Sequence, residues 1–254
     1  IEEQLWQTDI DDLRKKVTPR TKAICAINPN NPTGSVLHRK ALQEIIDIAG
    51  EHNIPVISDE IYDKLVFDVE HIPMASLASD VAVIGLNGFS KVYLMPGWRL
   101  GYMYFHDPNG MMEEIKHGVQ ALCRQRLSAH TPVQKACIRA FENDSHIHEM
   151  VRKLKERAYF AHRRLNEIGG ISSVKPEGAF YIFPKVELNG LWKDDHEFVL
   201  DVLNNTGIVL AHGSGFDPVY GKDHFRSVIL PPIETLEEAF GKLEEFMNRK
   251  QAAG

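Results

Sequence analysis

The first 150 residues alternate short apolar runs with a longer stretch of helical periodicity. Residues 22–27, 54–58, 81–86 and 100–105 are the apolar runs, and each has the length and composition of a buried strand. Between the first two runs, residues 37–52 place apolar side chains on one face of a helix: Leu42, Ile45, Ile46 and Ala49. Buried strands joined by helix-sized connections predict an α/β fold with a mostly parallel sheet flanked by helices.

The pattern changes in the rest of the chain. Residues 109–126, 132–142 and 145–168 have helical periodicity, and the last of these stretches is long and charged, as expected of a helix that links two domains. Short strands are predicted within 178–186, 207–212 and 225–230, and helices near 194–205 and 234–249. We therefore predict a large domain over residues 1–150 and a smaller α+β domain over residues 151–254.

Polar residues follow three of the predicted strands. Asn31 lies in the turn "NPNNPTG", Asp59 closes the strand of "SDEIY" with Tyr62 three residues on, and Lys91 follows the third strand in "NGFSKVYLMPGWRLGY". Arg99 comes eight positions after that lysine. Ligands of open α/β sheets bind beyond the carboxyl ends of the strands, so we expect these five side chains to meet in one crevice.

Composition narrows the class of protein without naming a reaction. The chain has 254 residues, 43% of them hydrophobic and 25% charged, which is typical of a globular protein with a sizeable core. A formal net charge of −6 gives no electrostatic reason to expect nucleic acid or an anionic membrane as a partner. The three cysteines lack disulfide or metal-site spacing, which favours a reducing compartment, and we expect the protein in the cytoplasm.

The first residues of the chain lack the features expected at the amino terminus of a protein. Residue 1 is isoleucine, and the first 27 residues show neither a targeting signal nor a recognisable helix cap. We therefore expect that an amino-terminal portion precedes this chain in the native protein.

Taken together, the three post-strand segments resemble a known family. "NPNNPTG", "SDEIY" and "SKVYLMPGWRLGY" are similar to the signature segments of class I aminotransferases, which are fold-type I enzymes dependent on pyridoxal 5′-phosphate (PLP). "GAFYIFPKV" and "FRSVIL" resemble segments of the small domain of the same family, so the resemblance covers almost the whole chain. Within the family the closest likeness is to the alanine aminotransferases of archaea and bacteria.

The resemblance implies a role for each residue that follows the first three strands. Lys91 forms a Schiff base with the cofactor and then moves a proton as the catalytic base. Asp59 pairs with the pyridine nitrogen and keeps it protonated. Tyr62 and Asn31 donate hydrogen bonds to the ring hydroxyl oxygen.

Other positions matched to the family bind anionic groups. Arg99 holds the cofactor phosphate with its planar fork, and Ser90 adds a contact to the same phosphate. Arg226 binds the substrate α-carboxylate, and Asn31 assists it. The resemblance implies that the protein is a homodimer that moves an amino group between L-alanine and 2-oxoglutarate.

Two departures from the family pattern affect the completeness of the site. Members usually carry serine or threonine three residues before the lysine, where this chain has Gly88, so one phosphate contact is expected to be lost or replaced by backbone. Members are also longer at the amino end, by roughly 150 residues for a two-domain enzyme. That segment contributes a phosphate-binding loop and an aromatic side chain stacked on the cofactor ring.

Alternatives stay open at the level of function. The same fold and lysine also support C–S β-elimination and other PLP chemistry. A second alternative is the PLP-binding sensor domain of a transcription regulator, although the chain has no helix-turn-helix or basic patch. A third is an inactive fragment.

Alternatives also stay open for single residues. Asp59 and Glu60 fit an acidic pair at a helix start, Arg99 fits a surface ion pair, and Arg226 fits a structural role. The segment containing His146 and His148 lacks zinc-site spacing and is expected on a solvated helix face, so no metal site is predicted.

Overall fold

The computed structural model of the chain describes residues 1–125 and 129–253. Two compact units are present. We call residues 7–29 and 36–150 the sheet unit, and residues 1–6, 30–35 and 151–254 the C-terminal unit. The large and small domains drawn from the sequence stay a prediction.

The sheet unit is built on four strands in the order β1, β2, β3, β4. Their bounds are Ile24–Ile27, Val56–Asp59, Val83–Gly88 and Gly101–His106. β1, β2 and β3 run parallel, whereas β4 returns antiparallel to β3. The predicted α/β class with a mostly parallel sheet is confirmed, and the antiparallel edge strand is an addition to it.

The sheet unit contains α1 to α4 (Ile10–Lys16, Arg39–Glu51, Glu113–Gln125 and Thr131–Phe141), and α5 (Ser145–Asn166) begins in it and continues into the C-terminal unit. α2 buries its apolar face against one side of the sheet, where Leu42, Ile48 and Val56 are almost inaccessible to solvent. This packing is the main apolar core of the unit and confirms the predicted amphipathic helix. Within the four-stranded sheet, the β1–β2 connection contains an α-helix, whereas β2 and β3 are joined through a 3₁₀ turn at Met74–Ser76.

One helix was not predicted from the sequence, and another begins later than predicted. α1 is absent from the sequence prediction, yet Asp9 caps it by accepting a hydrogen bond from the Asp12 N–H (2.9 Å). The expectation that the opening segment has no cap is therefore wrong. The predicted helix 109–126 begins later, since Asp107 accepts the Met111 N–H (2.9 Å) in a turn that contains Gly110 at φ 68°. Residue 126, its predicted end, lies outside the described residues.

The C-terminal unit combines short strands with two further helices. β5 to β9 cover Ile171–Ser172, Tyr181–Ile182, Lys185–Val186, Ala211–His212 and Phe225–Val228. α6 (Asp195–Thr206) and α7 (Ile233–Ala253) complete it. β9 lies between β6 and β8 and is antiparallel to both, so its residues are held from two sides. In the described residues no helix is long and apolar enough to cross a membrane.

Candidate active site

Asp59 and Tyr62 occupy the turn that follows β2. Asp59 is the last residue of the strand, and its Oδ1 accepts the Ile61 N–H (3.1 Å) while its carbonyl oxygen accepts the Asn28 N–H (3.0 Å). These two bonds fix the aspartate at the strand end. In the described residues no hydrogen bond occupies its Oδ2. Tyr62 is buried, with 3% of its surface exposed.

Lys91 lies beside that tyrosine. Its Nζ is 5.9 Å from the centroid of the Tyr62 ring. We call residues 89–95 the lysine loop. A hydrogen bond from the Met95 N–H to the Phe89 carbonyl oxygen (3.1 Å) closes it, and Val92 is fully buried next to the lysine. The structure therefore brings two of the predicted cofactor residues together and holds the lysine on a well-packed loop.

His146 contributes to this loop from α5. Its side chain is exposed, as expected from the sequence, but its Nε2 donates to the carbonyl oxygen of Val92 (3.0 Å). The ring also packs against Tyr93 at 5.9 Å between centroids. The expected solvated face is thus only part of the description, since the histidine also supports the residue after Lys91.

Ser90 lies in the lysine loop and Arg99 comes after it, and both are predicted to bind phosphate. Ser90 is half-buried next to Lys91. Arg99 is exposed, has left-handed backbone at φ 53°, and donates from Nη1 to the Pro96 carbonyl oxygen (2.6 Å). Left-handed backbone is uncommon for a residue other than glycine and is concentrated at functional sites. The guanidinium is therefore held at its own turn, directly before β4.

Gly88 has a structural reason to be glycine. It pairs with Gly101 at the end of the β3–β4 ladder. A Cβ at position 88 would lie 2.9 Å from the Gly101 Cα and 3.1 Å from the Leu100 carbonyl oxygen. A serine or threonine cannot occupy this position without moving the β4 backbone, which explains the departure from the family pattern.

Arg226 and Asn31 come together in the C-terminal unit although 195 positions separate them. Arg226 Nη1 donates to Asn31 Oδ1 (2.9 Å). The guanidinium carbon lies 4.7 Å from the Tyr181 ring centroid and 4.9 Å from that of Phe216. In the part of the chain that the structure describes, its Nε is buried and has no hydrogen-bond partner. A buried guanidinium N–H with no acceptor is costly, and a ligand carboxylate is the acceptor that its fork geometry fits.

The predicted site residues thus fall into two groups. The sheet unit contains Asp59, Tyr62, Ser90, Lys91 and Arg99; the C-terminal unit contains Asn31 and Arg226. The resemblance assigned Asn31 both to the cofactor ring and to the substrate carboxylate beside Arg226, and the partner of its side chain in the structure is the arginine.

Sequence reasoning missed three side chains that shape these groups. Tyr181 and Phe216 enclose the Arg226 guanidinium, and the pattern of "GAFYIFPKV" and "HGSGF" carries no signal for that contact. Glu60 was interpreted as part of an acidic pair at a helix start, but no helix begins there and the residue is buried. The period-two alternation of Ser58 and Glu60 along the strand direction was the available signal.

Comparison with known proteins decides the family. The model of aminotransferase class I and II matches residues 2–243 of this chain. The chain belongs to this family. Aminotransferases of this class depend on PLP, and the fold-type I architecture expected from the sequence is confirmed by the solved structures that it resembles.

Similar aminotransferases come from both bacteria and archaea. A glutamate-pyruvate aminotransferase AlaA of Haemophilus influenzae is 40% identical over 252 residues, covering 97% of this chain and 62% of that protein. An alanine aminotransferase of Mycobacterium tuberculosis is 39% identical, covering 97% of this chain and 58% of that protein. The structure of an alanine aminotransferase from Pyrococcus furiosus superposes with a TM-score of 0.95 at 56% identity, covering 98% of this chain and 63% of that one. The chain therefore spans about three fifths of the length of these aminotransferases.

The residues of this aminotransferase chain fit the family cofactor. Lys91 supplies an amine next to the buried phenol of Tyr62, and the Oδ2 of Asp59 is an acceptor at a strand end. The buried Arg226 Nε, which has no acceptor among the described residues, fits the carboxylate of an amino acid. Amine, phenol, carboxylate and guanidinium are the groups that PLP and its substrate require.

Proposed function

We propose that this chain carries the catalytic lysine and the carboxylate-binding arginine of a PLP-dependent alanine aminotransferase. The enzyme would transfer the amino group of L-alanine to 2-oxoglutarate. The observation that carries the proposal is the Lys91 amine 5.9 Å from the Tyr62 ring, in a loop directly after β3. The names of the H. influenzae, M. tuberculosis and P. furiosus relatives support alanine as the substrate.

Lys91 would attach the cofactor, whereas Asp59 and Tyr62 would bind its ring. PLP, when bound, supplies an aldehyde that attaches to a lysine amine and a pyridine ring that accepts electrons. Lys91 would provide that amine and, once released by substrate, move the proton from the substrate Cα. Asp59 Oδ2 would accept a hydrogen bond from the ring N–H, and the Tyr62 hydroxyl would donate to the ring oxygen.

Arg99 and Ser90 would hold the cofactor phosphate. Arg99 follows the 3₁₀ turn at Pro96–Trp98, and a guanidinium suits a phosphate because its N–H groups donate in one plane. Gly88 contributes no side chain, so backbone would replace the serine or threonine contact at that position.

Arg226 would bind the substrate α-carboxylate with two parallel N–H donors. Asn31 fixes the guanidinium through the 2.9 Å bond to its Oδ1, while its Nδ2 would donate to the cofactor ring oxygen. The rings of Tyr181 and Phe216 contact the guanidinium and reduce its contact with water, which strengthens its attraction for a carboxylate.

We also propose a homodimer that works in the cytoplasm. Exposed apolar side chains on α3 and α4, among them Leu122, Ile138 and Phe141, support a subunit interface. Cys25, Cys123 and Cys137 are all free thiols, which is compatible with a reducing compartment. Sedimentation equilibrium of the purified chain tests the dimer.

Borohydride trapping tests the proposed chemistry. We expect that incubation with PLP, reduction and mass spectrometry give one adduct on Lys91, absent in Lys91→Ala and retained in the control Lys64→Ala. Lys64 is an exposed lysine two residues after Tyr62, so it reports non-specific labelling of the same region. Scattered labelling, or none at Lys91, would overturn the proposal.

Product analysis separates transamination from elimination. With L-alanine, we expect the PLP-loaded chain to form pyruvate and the amine form of the cofactor without ammonia. Release of ammonia together with pyruvate from a cysteine conjugate, and no reaction with L-alanine, would indicate a C–S β-lyase instead.

A further inference from the structure

Glu60 is a buried carboxylate with an unusual set of partners. Only 4% of its surface is exposed. Its Oε1 accepts the Ser58 hydroxyl (3.0 Å) and the Met74 N–H (2.9 Å), and its Oε2 accepts the Tyr104 hydroxyl (3.2 Å). No lysine, arginine or histidine pairs with it in the described residues. A buried charge without a counter-ion is stable only when its hydrogen bonds are satisfied, so these three neutral donors are essential to it.

The position of Glu60 ties these bonds to the proposed cofactor site. It lies between Asp59 and Tyr62 in the turn after β2, and its N–H donates to the Leu86 carbonyl oxygen of β3 (2.9 Å). Successive residues of an extended chain point to opposite faces, so its side chain is directed away from that of Asp59. The Glu60 carboxylate thus stabilises the turn that carries Asp59 and Tyr62, from the face opposite to the Asp59 side chain.

The Tyr104 contact depends on a glycine in the centre of β3. A Cβ at Gly85 would lie 2.0 Å from the Cζ of Tyr104, so the ring occupies the space that a side chain would fill. Burial, the charge of Glu60 and the hydrogen bond to Glu60 raise the pKa of the Tyr104 hydroxyl well above its ordinary value. The hydroxyl therefore stays protonated and acts as a donor. Gly85 of β3, Tyr104 of β4 and Glu60 in the turn after β2 thus form one arrangement.

We propose that Glu60 is a positioning residue, anchored by Ser58, Met74 and Tyr104, that holds Asp59 and Tyr62 in the orientation needed to bind the cofactor ring. This inference rests on the proposed function of those two residues. Glu60 does not touch the cofactor in this assignment and acts only through the turn.

Two variants and a control test the assignment. Glu60→Gln keeps the size of the side chain but removes its charge and turns one acceptor into a donor facing the Tyr104 hydroxyl or the Met74 N–H. Tyr104→Phe removes a single donor and is the milder variant if the first one folds poorly. Glu70→Gln is the control, because Glu70 is an exposed carboxylate in the same β2–β3 connection.

The first readout is the spectrum of the PLP-loaded chain. A displaced turn would misalign the hydrogen bonds that Asp59 and Tyr62 make to the cofactor ring, so we expect both variants to weaken PLP binding about tenfold or more. We also expect the pH midpoint of the cofactor absorbance to shift, while Glu70→Gln changes neither. A lower melting temperature with unchanged PLP affinity and pH midpoint would show that Glu60 has a purely structural role.

The second readout needs no cofactor. Cys25 is solvent-accessible, and desolvation together with the Asp59 carboxylate raises the pKa of its thiol. In a Cys123→Ser background, the pH dependence of thiol modification therefore reports where Asp59 lies. We expect Asp59→Asn to lower the midpoint of that profile, and Glu60→Gln and Tyr104→Phe to shift it in the same direction.

The two readouts separate failure of this inference from failure of the proposed function. If wild-type chain takes no PLP on Lys91, the proposed function fails while the Cys25 profile still reports the position of Asp59. If Asp59→Asn shifts that profile and Glu60→Gln leaves it unchanged, Glu60 does not position Asp59 and the inference is overturned.

Discussion

The two groups of predicted site residues are built in different ways. Asp59, Tyr62 and Lys91 follow neighbouring parallel strands and are held by backbone hydrogen bonds of their own turns. Arg226 projects from a short strand and is held by side chains: the amide of Asn31 and the rings of Tyr181 and Phe216. The first group follows from sheet topology, and the second from side-chain contacts that distant segments contribute.

This difference has a consequence for substitutions. The turns of the first group are held mainly by hydrogen bonds between main-chain atoms, so a substitution that keeps the shape of a side chain there should affect chemistry more than stability. The Arg226 guanidinium has a fixed orientation before any substrate arrives, which lowers the entropy cost of binding a carboxylate. Changes around it should therefore affect substrate affinity and leave cofactor attachment intact.

The largest effect is expected from Asp59→Asn. A neutral amide lacks the negative charge that stabilises a protonated pyridine nitrogen, and loss of one preorganised electrostatic contact lowers a rate by about a hundredfold to a thousandfold. We expect the PLP adduct on Lys91 to persist while the rate of the L-alanine-dependent spectral change falls by that factor. The exposed Asp80→Asn is the control, and a rate within twofold of wild type in Asp59→Asn would exclude the proposed role.

Arg226→Lys should produce the next largest effect, confined to substrate. Lysine keeps the positive charge but lacks the fork, and hydrogen bonds to charged groups contribute about 1.5–3 kcal/mol. We expect the apparent Kd for L-alanine to rise about tenfold to a hundredfold with unchanged PLP labelling of Lys91. The exposed Arg249→Lys is the matched control. If PLP labelling fell together with alanine affinity, the division between the two groups would be wrong.

Gly88→Ser tests whether the family serine can be restored. The added Cβ would meet the Gly101 backbone at 2.9 Å, and overpacking of this kind destabilises by about 1–3 kcal/mol. We expect a lower midpoint of thermal unfolding and no gain in PLP affinity. Gly97→Ser is the control in the same segment, since nothing lies within 4 Å of a Cβ there. Tighter PLP binding in Gly88→Ser with unchanged stability would contradict this account.

The sequence predicted the strands of the sheet unit within a few residues, because a buried strand is a local apolar run that a short window detects. β3 was expected at 81–86 and observed at Val83–Gly88, and α2 was expected at 37–52 and observed at Arg39–Glu51. α1 was missed because its seven residues bury no side chain completely and give no clear apolar stripe. The antiparallel direction of β4 depends on strand pairing, which periodicity does not report.

In the candidate site, too, contacts that follow from the order of the strands could be predicted, and contacts between distant segments could not. Strand ends in a parallel sheet share one edge, so the pairing of Tyr62 with Lys91 follows from the order of the strands. The Asn31–Arg226 bond joins residues 195 positions apart, and no local pattern encodes it. At Gly88 the sequence predicts a phosphate contact that is lost or replaced by backbone, and only the close approach of Gly101 in the fold gives the glycine a steric cause.

The smallest effect is expected from Phe216→Leu, which refines the description of the Arg226 group. Leucine keeps an apolar contact but removes one aromatic face, and an interaction between a guanidinium and a ring contributes about 0.5–1 kcal/mol at an exposed site. Phe216 is 40% exposed, so we expect a rise of about twofold to fivefold in the apparent Kd for L-alanine. Phe160→Leu, which removes the ring facing Arg163 at 5.7 Å, is the matched control and should leave alanine binding unchanged. An increase as large as that of Arg226→Lys would mean that Phe216 fixes the orientation of the guanidinium instead of only adding to its attraction for a carboxylate.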